Sequence, residues 1–105
     1  YCAGPMSGIE GHNLPAFAAA AVRLELAGYE AVDPGAKGVL DGWSWTDYLR
    51  FDLRAMLDCE GVAILPGWVD SPGAWLEVSV ARSLDMPVKS VQEWLDAAAI
   101  GLGIV

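Results

Sequence analysis

Gly61-Val-Ala-Ile-Leu-Pro-Gly-Trp-Val-Asp-Ser-Pro-Gly-Ala-Trp-Leu-Glu77 is the stretch that decides the fold of this chain. Its first five residues are an apolar run of strand length, stopped by Pro66-Gly67-Trp68. Ser71-Pro72 then opens a helix, with serine as N-cap and proline at the first helical position, where a missing N–H removes no bond. A strand that runs through a tight turn into a helix is half of a βαβ unit. Such units build parallel α/β sheets.

The alternation repeats outward in both directions. Tyr1 to Ala3 reads as the end of a first strand, stopped at Gly4-Pro5 and followed by a loop over residues 6–13. Leu14, Phe17, Ala21 and Leu24 mark one face of a helix that ends at Gly28. Tyr29 to Val32 reads as a second strand, closed by Asp33-Pro34-Gly35, and a glycine-containing loop runs on to about Trp43. Ser44-Trp-Thr-Asp47 is a capping box, and its helix is expected to reach about Asp58. Beyond the opening stretch, the helix begun at Ser71 ends near Asp85, and Pro87 to Lys89 makes a short fourth strand. Ser90-Val-Gln-Glu93 caps a last helix to about Ala99. The expectation is one domain over residues 1–105: a flavodoxin/Rossmann-like three-layer sandwich with a parallel sheet of four to five strands in the order 2-1-3-4. The apolar tail, Gly101 to Val105, is left as a frayed end, a fifth edge strand or an arm onto a neighbouring subunit.

Composition narrows the function classes. The formal net charge is −8, from six Lys+Arg against fourteen Asp+Glu, and no segment clusters the basic residues. A nucleic-acid polymer is therefore not expected as partner. Small anions remain open, because backbone amides can hold a phosphate without a positive net charge. No apolar run reaches the roughly 18 residues of a membrane helix, and nothing resembles a signal peptide, so a cytoplasmic protein is expected. The chain opens on Tyr1 without an initiator methionine, so a few leading residues are expected to be missing. Cys2 and Cys59 lie at strand positions and read as buried thiols rather than a disulfide. With His12 as the lone histidine, no metal site and no cofactor are called for. A chain this short buries only about 65% of its unfolded surface, and 54% of its residues are hydrophobic. That excess can line a pocket or a subunit interface as well as a core, and a homodimer or higher homo-oligomer is expected.

Two carboxylates interrupt apolar stripes. The helix over residues 45–57 carries Trp45, Leu49, Leu53, Met56 and Leu57 inward, and Asp52 stands among them, three residues after Leu49 and four before Met56. In the following helix Glu77 sits three residues after Ala74 and four before Ala81. A carboxylate aimed at a core is costly unless it is paired or opens on a cleft. Each alone is explained by a satisfied hydrogen bond at the core boundary. Together, beyond the carboxyl ends of the strands where α/β sheets bind ligands, they predict a shared site. The glycines of Gly4-Pro-Met-Ser-Gly8 allow close backbone approach there, and Ser71-Pro-Gly73 offers a helix N-terminus to an anion.

Tyr-Cys-Ala-Gly-Pro-Met-Ser-Gly (1–8), the Asp52-Leu helix, Leu-Pro-Gly-Trp (65–68) and Ser-Pro-Gly-Ala-Trp-Leu-Glu (71–77) resemble the nucleoside 2-deoxyribosyltransferase superfamily, and most closely its small DUF4406 branch, often found in phages and prophages. The resemblance implies cleavage or exchange of the N-glycosidic bond of 2′-deoxynucleosides or their 5′-monophosphates, in the host cytoplasm if phage-encoded. It implies Glu77 as the nucleophile at C1′, giving a glycosyl-enzyme resolved by water or an incoming base. Asp52 would engage base or sugar and assist leaving-group protonation, and Tyr1 would orient Glu77. Ser71 and Gly73, with the loop Gly4, Pro5, Met6, Ser7 and Gly8 and its available amides beside them, would hold a 5′-phosphate, and Met6 and Trp68 would wall the pocket. Two helpers of the relatives are missing: no arginine stands between Tyr1 and Asn13, and no asparagine follows Asn13. Free nucleosides and monophosphates therefore both stay open as substrates. The alternative class is a nucleotide-binding or sequestering module without catalysis.

Overall fold

A computed structural model describes residues 1–101 of the chain as a mixed α/β domain. Strand β1 is Cys2–Ala3, β2 is Val62–Ile64 and β3 is Val88–Ser90; helices α1 to α4 are Leu14–Leu26, Trp45–Leu57, Pro72–Ser83 and Val91–Gly101. The sheet is parallel in the order β1-β2-β3, with Cys2 opposite Ala63 and Val62 opposite Val88. The period of two along β2 divides the core. Ala63 and Leu65 face one way, with Cys2, against Phe17, Ala20 and Leu24 of α1 and Val91 of α4. Val62, with Tyr1 and Ala3, faces Met56 of α2 and Val78 and Ala81 of α3. Helices thus cover both faces of a small parallel sheet.

Local chemistry starts the helices as expected. Ser44 Oγ accepts from the Asp47 N–H at 3.2 Å while the Asp47 carboxylate accepts from the Ser44 N–H at 2.8 Å, closing the capping box of α2. Ser90 and Glu93 make the same reciprocal pair at the start of α4, at 3.1 and 2.8 Å. Ser71 Oγ accepts from the Ala74 N–H at 3.3 Å, with Pro72 as the first residue of α3. Cys2 and Cys59 are free thiols, the first buried and the second half-buried. None of the described helices is long and apolar enough to cross a membrane.

The sheet has three strands where four to five were expected. Residues 29–32 lie beside β1 but form no strand, and the contact is one hydrogen bond, Cys2 N–H to the Val32 carbonyl at 3.0 Å. In a parallel ladder the Cys2 carbonyl would next accept from the N–H of residue 34. Residue 34 is proline and has none, so pairing stops after a single rung. The stripe on α2 is also narrower than expected. Met56 is fully buried and Leu49 and Leu53 half-buried, but Trp45 and Leu57 are 51% and 49% exposed. Leu57 lies about 100° round the helix from Met56, off the packed line, and Trp45 stands at the helix's first turn, at the mouth of a cleft. The fifth strand and the arm expected of the tail concern residues 102–105, which lie outside the described residues; Gly101 ends α4.

Candidate active site

A cleft of about 520 Å³ opens beyond the carboxyl ends of the strands. Four segments meet around it. The stretch from β1 into α1 brings Gly4, Met6, Ser7, His12 and Leu14; the stretch after Val32 brings Pro34, Gly35, Lys37 to Leu40 and Trp43; α2 brings Trp45, Tyr48, Leu49 and Asp52; and the start of α3 brings Ser71 to Ala74 and Glu77. Glu77 is the one buried charged residue of the described chain, 6% exposed on the packed line of Ala74, Val78 and Ala81. Its Oε2 accepts a hydrogen bond from the Tyr1 hydroxyl, which β1 brings across from the sheet. Oε1 makes no such bond. Among the described residues no enclosed side-chain oxygen lacks a partner, so Oε1 is open to the cleft it lines.

The electrostatics follow from burial. Desolvation pushes the Glu77 carboxyl up to about 7; the Tyr1 hydrogen bond opposes it, and the negative charge of Asp52 adds to it. The Tyr1 hydroxyl is raised far above its ordinary range, first by burial and then by the Glu77 charge. The pair therefore carries at most one negative charge, on Glu77, and Tyr1 stays the donor. Asp52 is held differently: Lys37 Nζ lies 2.5 Å from its Oδ1, with both side chains about one-sixth exposed. Burial raises the Asp52 carboxyl, and it outweighs the hydrogen bond and charge of Lys37, which pull downward. Lys37 is itself fixed by donating to the Pro34 carbonyl at 2.6 Å.

Of the residues singled out from sequence, Glu77, Asp52, Gly4, Met6, Ser7, Ser71 and Gly73 all line this cleft, and Tyr1 reaches it through Glu77. Pro5, Gly8 and Trp68 do not line it. The Pro5 carbonyl is occupied by Asn13 Nδ2 at 2.9 Å, and its ring faces the Gly67 turn. Gly8 is exposed at the tip of its loop. Gly67, at φ +86°, turns the chain so that Trp68 packs beside the Val62–Val78 core, with Arg82 5.5 Å from its ring centre. Ser71 has its acceptor engaged by the Ala74 N–H, which leaves the hydroxyl proton free to donate.

Sequence reasoning missed Lys37, Trp43 and Tyr48. Lys37 sits in a segment read as plain loop; its signal was being the sole cation between Arg23 and Arg50, two residues after an Asp-Pro-Gly turn. That turn is a short 3₁₀ element, Pro34–Lys37, capped by Asp33, whose carboxylate accepts from the Gly35 N–H at 2.7 Å. Among the described residues no group of three or more His, Cys, Asp or Glu side chains gathers as metal ligands would. No curated protein and no solved structure matches the chain. One family model does, over residues 1–90, which is most of the described domain and every residue of the cleft. The chain belongs to the family of that model, described as Domain of unknown function (DUF4406).

Proposed function

We propose that the protein breaks the N-glycosidic bond of a 2′-deoxynucleoside or its 5′-monophosphate, by hydrolysis or by transfer to a second base, through a glycosyl-enzyme on Glu77. The activity comes from the resemblance of residues 1–8, 65–68 and 71–77 to the nucleoside 2-deoxyribosyltransferases. The observation that carries it is a buried carboxylate with one oxygen held by Tyr1 and the other open to a cleft. Helices on both faces of a parallel sheet, with the cleft at the strands' carboxyl ends, support a flavodoxin/Rossmann-like assignment.

In this reading Glu77 Oε1 attacks C1′. The new C1′–O ester bond forms as the C1′–N bond breaks, and the bonding pair leaves with the base. Tyr1 orients the carboxylate and favours its ionised form. Asp52 accepts from base or sugar and passes a proton to the departing base, and water or a second base then resolves the ester. A 5′-phosphate would meet the Ser71 hydroxyl and the N-terminal amides of α3, the end of a helix that favours anions.

The test is to incubate the protein with deoxynucleosides and their monophosphates, follow base release by chromatography, and look for a deoxyribosyl adduct by intact-mass spectrometry after acid quench. Release and adduct are expected from the wild type and neither from Glu77→Ala. Release that survives the substitution overturns the reading. The missing loop arginine favours the second reading, a nucleotide-binding module, whose outcome is binding without release from any substrate.

A further inference from the structure

Lys37 is absorbed by neither the resemblance nor the chemistry of Glu77, yet it is built into the cleft. An ammonium has three N–H donors and no acceptor. Two are used, on the Pro34 carbonyl at 2.6 Å and on Asp52 Oδ1 at 2.5 Å, which leaves one without a hydrogen-bond acceptor, with the Tyr48 and Phe51 ring centres 5.8 and 5.3 Å from Nζ. Among the described residues Asp52 Oδ2 has no hydrogen-bond partner and, like Glu77 Oε1, it is open to the cleft. A free cationic donor and a free anionic acceptor thus stand side by side. Around them the wall is aromatic. Trp43, Trp45 and Tyr48 line the cleft, Trp43 stacks at a tilt on Tyr48 at 5.2 Å, and Trp45 is half exposed with no aromatic partner. Exposed rings beside a donor–acceptor pair suit a flat heterocycle that stacks and presents an N–H next to a C=O.

We propose that Lys37 is the specificity residue of this cleft and, with Asp52, selects bases bearing a ring N–H beside a carbonyl: uracil- or hypoxanthine-type bases over their amino counterparts. Lys37 donates to the carbonyl oxygen, and Asp52 Oδ2 accepts from the ring N–H. The sugar tether fixes the register, so an amino base would set its NH₂ against the ammonium and its ring lone pair against the carboxylate. This inference rests on the proposed function for its second half. When the C1′–N bond breaks toward Glu77, the electron pair enters the base and delocalises onto that carbonyl oxygen, where the ammonium already lies. An amino base has no oxygen at that edge, so the ammonium cannot stabilise its departure there. The proton that finally neutralises the released base comes from solvent and reaches it by way of Asp52.

Two matched pairs isolate the claim, since 2′-deoxyuridine and 2′-deoxycytidine, and 2′-deoxyinosine and 2′-deoxyadenosine, each differ at one edge. Tryptophan fluorescence titration of Glu77→Gln measures binding without turnover, and base release by the wild-type protein measures rate. The expected result is at least tenfold tighter binding of the oxo member of each pair, falling to within about threefold when Lys37→Met is added and retained with Lys37→Arg. Lys37→Gln, a neutral donor of similar length, replaces Lys37→Met if that variant fails to fold, and is expected to lose most of the preference. Trp45→Ala is expected to weaken all four ligands by about tenfold without changing their order. Equal binding of each pair, preference for the amino bases, or a preference that survives loss of Lys37 overturns the inference. No binding of any nucleoside overturns it together with the proposed function. Selective binding without base release leaves Lys37 as the specificity residue and removes only the catalytic reading.

Discussion

Glu77 stands where an apolar side chain would cost less. Its folded-state pKa of about 7 lies above the ordinary 4.5, so between those values the folded protein binds more protons than the unfolded chain. The contribution of Glu77 to stability is therefore most favourable below about 4.5 and falls as pH rises toward 7, with the deficit fully present at pH 8. Glu77→Gln keeps the shape and an acceptor for Tyr1 but cannot ionise. It is expected to be more stable than the wild type by about 1–3 kcal/mol at pH 8 and equal to it at pH 4, as read from urea midpoints. The same titration sets the rate. Only the ionised carboxylate attacks, so kcat/KM should rise through an acid limb near 7. The Tyr1 hydrogen bond pulls Glu77 downward, so Tyr1→Phe should move that limb to higher pH and slow turnover by about 10–100-fold. A slowed variant with an unmoved limb would mean that Tyr1 only packs. At this scale the sequence went far, because Glu77 and Asp52 each break an apolar period that anyone can count. Lys37 broke no period, and being the sole cation between Arg23 and Arg50 was the one mark it carried.

Helix starts were legible for a local reason. Ser44 with Asp47, Ser71 with Pro72, and Ser90 with Glu93 satisfy N–H groups within four residues of themselves, so the signal and its effect share one short stretch. Ser71→Ala should cost about 1 kcal/mol through the lost N-cap. It should also weaken monophosphates more than free nucleosides, which parallel titrations of the two would separate. The element expected at 29–32 failed for an equally local reason, the missing N–H of Pro34, but that reason applies only once Cys2 is known to lie alongside. Gly61, just before β2, shows a constraint no pattern reveals. A β-carbon there would sit 2.6 Å from the Trp94 ring and 3.1 Å from the Pro87 carbonyl. Trp94 is pinned by its indole N–H donating to the Val62 carbonyl at 2.9 Å. Gly61→Ala is therefore expected to cost about 1–3 kcal/mol in thermal or urea unfolding.

For the molecule as a whole, the cleft is assembled from segments that are distant along the chain: 4–14, 34–43, 45–52 and 71–77. Large apolar side chains remain uncovered on the outer helix faces, with Leu26 84%, Val22 58% and Trp75 56% exposed. Light scattering after size exclusion is expected to give twice the chain's mass or more, and a mass of one chain at micromolar concentration would remove the oligomer from the account. The sequence by itself determined the α/β class, the helix starts, and the two carboxylates that belong to neither surface nor core, because each of these is written in periodicity and capping within a few residues. Tertiary structure alone decided how many strands pair, which flank of α2 is covered, and that Lys37 meets Asp52. Those outcomes depend on which backbone lies beside which, and a pattern within one segment carries no information about its neighbour in space.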